Sequence, residues 1–259
     1  RMQRAVDVQT LSTRFNRPVF QLAVEGSSYL PVLEDLAVDP RVSGTIVVSV
    51  APILTFNREL TQLDNGRQAR YVENYRKQSL ARRLEQKITL FLQEHLALRA
   101  PRAQPQLVVS ELLGAGKMPD PDYKTVFRDR VVHMDLNRIS ASQDDDVIAA
   151  MYDDHAAPYS ETEFEPFINY IATLVNMLRS KGASVYFIRL PTTGAVRALE
   201  EELFPREQFW DVLEANVDAT FIHHEADPEL SGFVSHDGSH IDASQIVEFT
   251  NRLSNVLAR

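Results

Sequence analysis

The sequence contains no cysteine in 259 residues, which excludes disulfide frameworks, thiolate metal sites and cysteine nucleophiles. It also has no apolar run near the roughly 20 residues that cross a bilayer. The formal net charge of −9 opposes a general affinity for phosphates, so we expect no nucleic-acid partner. With 44% hydrophobic and 24% charged residues, the composition is typical of a globular protein with one sizeable core.

Apolar runs of strand length alternate with helical patterns, which is typical of a largely parallel sheet covered by helices. An opening helical pattern includes Ala5, Leu11 and Phe15. The predicted strands are residues 18–24, 44–51, 106–110, 130–136, 183–190 and 219–223. The other predicted helices are residues 31–38, 71–98, 163–180, 195–203, 206–216 and 243–257. For the last helix, Asp242 with Gln245 three residues later predicts a capping box.

The residue pattern that carries the clearest chemistry is Asp237-Gly238-Ser239-His240, just before the last helix. A catalytic serine needs a base within hydrogen-bond reach and a third group that orients this base. An aspartate and a histidine three residues apart on a tight turn meet both needs, and Gly238 permits a sharp turn. The alternative is that Asp237 shapes the turn while His240 packs against the helix.

A metal site is the rival interpretation of this region. The residues that would form it are His223, His224, Asp227, His236, Asp237 and His240. Imidazole and carboxylate suit zinc or iron, but the spacing is not the helical two-histidine motif of metalloproteases. We therefore expect no metal and no cofactor.

Two charged stretches are interpreted as solvated surface. The basic stretch is made up of Arg67, Arg70, Arg76, Lys77, Arg82, Arg83 and Lys87. Its alternative role is to dock an anionic glycan, a lipid or a partner. The acidic stretch, residues 144–146 with 153–154, lacks the ligand spacing of an EF-hand loop.

The segments around Asp237 and His240 resemble those of SGNH hydrolases, also called GDSL-type esterases, and they follow one another in the order found in that family. In that family an Asp-x-x-His precedes the last helix, as it does here. A second family block is a strand and turn whose glycine amide binds the oxyanion, and residues 21–28 (QLAVEGSS) resemble it. The resemblance implies that His240 is the base, Asp237 its orienting acid and Gly26 an oxyanion donor. The alternative for Gly26 is a plain turn between a strand and a helix.

Two departures from the family pattern concern the oxyanion amide and the nucleophile. Where the family has Gly-x-Asn-Asp after the second strand, this chain has Ser49-Val50-Ala51-Pro52, and the nearest amide is Asn57. The family's serine ends a strand ahead of the glycine block. The opening residues 1–7 resemble the segment that comes directly after that serine, so we expect the nucleophile immediately upstream of Arg1. Ser27 or Ser28 is the alternative nucleophile, because Gly26-Ser27-Ser28 itself joins a strand to a helix.

The resemblance implies one domain over residues 1–259, a three-layer α/β/α sandwich with a mainly parallel, flavodoxin-like sheet and a helical insertion at about 58–100. The implied activity is a serine ester hydrolase or O-acyl transferase acting on an acylated small molecule, glycan or lipid. A membrane tether upstream and an extracytoplasmic location are weaker expectations. The alternative function is a catalytically silent domain that binds glycan or protein through the basic stretch.

Overall fold

The structure is a computed structural model, and it describes residues 1–62, 66–95, 124–126, 131–134, 149–150, 153–154, 156–235 and 237–259. The chain divides into two compact units. One unit is formed by Arg1–Val72 with Tyr123–Arg259, and the other by Glu73–Asp122. The second unit overlaps the predicted helical insertion at 58–100.

The first unit is mixed α/β and contains a three-stranded parallel sheet within the described residues. Its strands are β1 (Gly44–Val50), β4 (Ala183–Arg189) and β5 (Thr220–His223), in the order β1-β4-β5. In register, Gly44 pairs with Ala183, and Arg189 with His223. The strand predictions for residues 44–51, 183–190 and 219–223 are therefore confirmed within one residue.

The apolar runs form strands because both faces of the sheet are buried. Successive side chains of a strand point to opposite faces. In β4, Val185 and Phe187 belong to one hydrophobic cluster, whereas Ile188 belongs to the other. A strand covered on both faces needs apolar residues at odd and even positions alike, which is why the run is nearly continuous.

Helices of the first unit contribute the remaining residues of these two clusters. The helices before β1 are α1 (Met2–Ala5), α2 (Val8–Phe15) and α3 (Leu30–Val38), and those that follow β1 are α4 (Pro52–Thr55) and α5 (Arg58–Gln62). The helices in the second half of the chain are α8 (Glu161–Ser180), α9 (Gly194–Leu203), α10 (Trp210–Asn216) and α11 (Ile246–Leu257). Residues of α3 and α8 join the cluster of Phe187, and residues of α1, α2 and α11 join that of Ile188.

One strand prediction is wrong, and another is confirmed but in a different sheet. Residues 18–24 belong to no strand, and Phe20 in this segment is 79% exposed. Pro18 has no N–H to donate to a ladder, which disfavours pairing. Within residues 130–136 the structure forms β3 (Val132–Met134), which pairs antiparallel with β2 (Lys124–Val126) in a separate sheet. Residues 106–110 and 144–146 lie outside the described residues.

The predicted helix at 71–98 is two helices, α6 (Arg67–Lys77) and α7 (Leu80–His95), separated at Gln78 and Ser79. Residues 96–98 lie outside the described residues. The opening helical pattern is likewise split into two helices. The first, α1, ends at Ala5, and Asp7 caps the second, α2, by accepting a hydrogen bond from the amide of Thr10.

The last helix begins later than expected, and the predicted capping box is wrong. The helix starts at Ile246 with Gln245 as N-cap, and the Gln245 side chain makes no cap hydrogen bond. Asp242 Oδ1 instead accepts bonds from the amide and hydroxyl of Ser244, at 2.8 and 2.5 Å. Asp242 thus closes a local turn ahead of the helix. Within the described residues, a capping box is formed at the start of α8, between Ser160 and Glu163.

None of the helices formed by the described residues is both long and apolar enough to span a membrane.

Candidate active site

The Asp237–His240 turn lies at the carboxyl edge of the parallel sheet. β4 ends at Arg189, and the loop after it reaches Thr193. Thr193 donates through its amide to the carbonyl of Gly238 at 3.0 Å and through its hydroxyl to the carbonyl of Ser235 at 2.5 Å. Ligand sites of open α/β sheets form at this edge.

Asp237 and His240 form a direct hydrogen-bonded pair. Nδ1 of His240 lies 2.7 Å from Oδ2 of Asp237. The other carboxylate oxygen, Oδ1, accepts from the amides of Ser239 at 3.0 Å and His240 at 2.7 Å. Gly238 has φ of 73°, a left-handed conformation that suits glycine. The local sequence therefore fixes the pair, since every one of these bonds is made within three residues.

Arg4 forms a hydrogen bond with the other ring nitrogen of His240, Nε2. Its Nη1 lies 3.2 Å from Nε2, and because a guanidinium only donates, Nε2 must accept this bond. The ring proton is then on Nδ1, where it is donated to Asp237. Arg4 also forms an ion pair with Glu25, the residue before Gly26. Sequence reasoning missed Arg4, because nothing local in residues 1–7 marks it as a partner of His240.

Burial sets the charge state of the pair. Burial, with the nearby cation of Arg4, lowers the pKa of His240 to about 4, although Asp237 acts in the opposite direction. Burial would raise the pKa of Asp237, but the hydrogen bonds from the ring of His240 and from two amides lower it to about 2. At neutral pH the pair is thus a neutral imidazole oriented by an ionised carboxylate.

Gly26 lines a cavity of about 350 Å³ near the carboxyl end of β1. Its apolar walls include Pro31, Leu54 and Leu60, and Leu54 lies in α4, directly after β1. Gly26 has φ of 60°. Since β1 and β4 run parallel, this cavity and the Asp237–His240 turn are on the same edge of the sheet.

Polar groups also face this cavity. Arg67 Nη2 would lie 3.7 Å from a Cβ placed on Gly26. Gln68 also lines the cavity, but its Oε1 is fully buried and has no hydrogen-bond partner among the described residues. The cavity therefore combines an apolar wall with a cation.

The candidate nucleophiles Ser27 and Ser28 form local bonds. The hydroxyl of Ser27 donates to the carbonyl of Glu25 at 3.4 Å, and that of Ser28 accepts from the amide of Leu30 at 3.3 Å. In the described part of the chain, the ring of His240 bonds to Asp237 and Arg4 and to no serine hydroxyl. Asn57, the amide nearest to the expected oxyanion position, uses Oδ1 to accept from two amides at the start of α5.

The side chain of Arg1 is buried beside the Asp237–His240 turn. Arg1 Nε donates to the hydroxyl of Ser239 at 3.1 Å, and its Nη2 lies 2.5 Å from Oε1 of Glu200. Glu200 also pairs with the buried Arg189 at the end of β4. A buried ion network thus joins the turn to the sheet and α9.

Among the described residues, those of the rival metal interpretation do not converge on one site. Asp237 pairs with His240, and Asp227 pairs with Arg259 at 2.9 Å. His236 lies outside the described residues. His223 and His224 instead group with Glu225, which the sequence interpretation had not included.

Comparisons of this chain with protein-family models, with curated proteins and with solved structures found no match.

Proposed function

We propose that the first unit is an SGNH-like hydrolase domain that cleaves or transfers an ester-linked acyl group, with His240 as general base and Asp237 as its orienting acid. The observation that carries this proposal is the 2.7 Å bond between His240 Nδ1 and Asp237 Oδ2 at the carboxyl edge of a parallel sheet. The two hydrophobic clusters on either face of β4 support the finer proposal of a three-layer α/β/α sandwich with a flavodoxin-like sheet.

In the proposed reaction, a hydroxyl oxygen attacks the ester carbonyl while its proton passes to Nε2 of His240. The ring then returns the proton to the leaving alcohol oxygen, and water or an acceptor hydroxyl takes the acyl group. Asp237 keeps the proton on Nδ1 and stabilises the imidazolium. Arg4 must release Nε2 before the proton can be taken, so we propose that substrate binding moves this side chain.

The cavity at Gly26 is the proposed substrate pocket. Pro31, Leu54 and Leu60 suit an apolar acyl group, and the amide of Gly26 is the proposed oxyanion donor. Arg67 suits an anionic group of a glycan or lipid acceptor. These groups support an acylated glycan or lipid as the substrate class.

Two positions are proposed for the nucleophile. One is a serine immediately upstream of Arg1, which the resemblance to SGNH hydrolases implies. Ser27 or Ser28 is the alternative, and would need to leave its local hydrogen bond. Labelling with a fluorophosphonate, followed by peptide mapping, separates the two. Labelling is compared between this chain and a chain extended by the residues encoded upstream, if any.

Esterase activity is tested on p-nitrophenyl acetate with the chain that labels. We expect His240→Ala to lower kcat by about two orders of magnitude or more, because a general base contributes that much. Asp237→Asn should be less severe, and Asp227→Asn is the matched control that should change little. Turnover by His240→Ala equal to the unmodified chain would refute the role of His240.

A catalytically silent binding domain is the second candidate, and it is favoured by the hydrogen bond of Arg4 to Nε2, which blocks the base. The helix α7 of the other unit also exposes apolar side chains, with Leu80 at 81% and Phe91 at 59% exposure, in the basic stretch. For this candidate, an anionic polysaccharide should bind to the chain, and binding should fall when Arg82, Arg83 and Lys87 are replaced by glutamine. Absence of both binding and esterase activity would refute both candidates.

A further inference from the structure

We propose that His223, His224 and Glu225, at the carboxyl end of β5, bind a divalent transition-metal ion of the zinc type. One ligand atom of each residue lies within 4.8 Å of those of the other two. Two imidazoles and a carboxylate are a ligand set that suits zinc and leaves a fourth position for water. This site is distinct from the Asp237–His240 pair and does not depend on the proposed esterase.

The three ligand atoms lie near one another but must move closer to hold an ion. Zinc binds nitrogen and oxygen ligands at about 2.0–2.2 Å, so two ligands of a tetrahedral ion are about 3.3–3.6 Å apart. The side chains therefore have to approach one another when the ion binds. The Glu225 side chain is 46% exposed and has room to rotate, whereas His223 ends β5 and packs edge-on against the ring of Trp210.

The strongest sign of a ligand is the unsatisfied state of His224. This residue is only 5% exposed, yet neither ring nitrogen has a hydrogen-bond partner among the described residues. Buried polar side chains nearly always have a partner, and one without a partner calls for an explanation such as an ion. The ring of His224 stacks face to face on that of His223, with centroids 5.2 Å apart.

The arginines nearby pair with carboxylates. Glu200 pairs with both Arg189 and Arg1, and Asp211 pairs with Arg206. Arg197 pairs with Glu201 and with Glu225 itself, at 2.8 Å from Oε1. A carboxylate has about four lone-pair positions, so Glu225 can bind an ion and retain Arg197.

The test is a titration of the chelator-treated full chain with Zn²⁺ by calorimetry, and with Co²⁺ by visible absorption. We expect one Zn²⁺ per chain and the ligand-field bands of four-coordinate Co²⁺. His224→Phe keeps a flat ring in the buried position, and should weaken Zn²⁺ binding by about 100-fold or more. Glu225→Gln, at an exposed position that should not disturb folding, should weaken it by about tenfold or more. Asp227→Asn is the matched control and should bind as the unmodified chain does.

Thermal unfolding provides a second readout. Zn²⁺ should raise the Tm of the unmodified chain and of Asp227→Asn, but not that of His224→Phe. No Zn²⁺ or Co²⁺ binding by the unmodified chain would overturn the proposal. Binding that is equally tight in His224→Phe and Glu225→Gln would also overturn it, because the ion would then be held elsewhere.

Discussion

Arg4 and His240, 236 positions apart in the chain, are joined by a 3.2 Å hydrogen bond between Arg4 Nη1 and His240 Nε2. The nitrogen that a general base would use is therefore already bonded to a cation. This bond fixes the tautomer of His240, since Nδ1 must then carry the proton that is shared with Asp237.

The first prediction concerns the pKa of His240. Arg4 lowers this pKa and Asp237 raises it. Arg4→Met should therefore raise the pKa of His240, and Asp237→Asn should lower it further. NMR titration of the imidazole signals measures both. Arg14→Met is the control, because Arg14 is bonded to Asn255 at the surface. An unchanged pKa in Arg4→Met would show that the two side chains do not meet in solution.

The second prediction concerns the buried ion network around Glu200. This carboxylate pairs with Arg1 and Arg189, and all three side chains are at most 5% exposed. Glu200→Gln should lower the free energy of unfolding by about 3–5 kcal/mol, because both guanidinium groups lose a buried counter-charge. Chemical denaturation measures this loss.

Glu201→Gln is the matched control for Glu200→Gln, one residue along α9. Its side chain is 60% exposed and pairs with Arg197, so its loss should cost less than about 1 kcal/mol. Equal effects of the two variants would contradict the buried network.

The third prediction concerns acid stability. Burial lowers the pKa of His224 to about 3 from an ordinary value of 6.5, so the folded state takes up its proton at lower pH than the unfolded state does. His224 therefore does not affect the free energy of unfolding above pH 6.5, but it lowers this free energy as the pH falls from 6.5 toward 3.

For His224 alone, this loss between pH 7 and pH 5 should be about 2 kcal/mol at most. In metal-free buffer, the free energy of unfolding of His224→Phe should therefore fall less between pH 7 and pH 5 than that of the unmodified chain, by up to this amount. Denaturant unfolding at each pH measures the difference. Asp237 also has a lowered pKa, but it takes up its proton only below this range. Equal pH slopes for the two proteins would contradict a buried neutral imidazole at position 224.

The sequence alone determined those features that depend on neighbouring residues. The continuous apolar runs of β1, β4 and β5 identified strands buried on both faces, because such strands need apolar side chains at every position. The pairing of Asp237 with His240 was predictable for the same reason, since a turn of four residues brings the two side chains together. The helix boundaries at the start of α11 were less predictable, because Asp242 had a competing bond to Ser244.

Only the tertiary structure decided the contacts between distant segments. No periodicity places Arg4 on His240, because that contact depends on how α1 packs beside the Asp237–His240 turn. Residues 18–24 have the composition of a strand but form none. Whether such a segment becomes a strand depends on whether the fold brings it beside another strand with which it can pair. The burial of His224 without a partner among the described residues, beside an exposed Glu225, is likewise a property of packing around β5. Local patterns specify elements, whereas the charge and solvation of a site depend on which elements surround it.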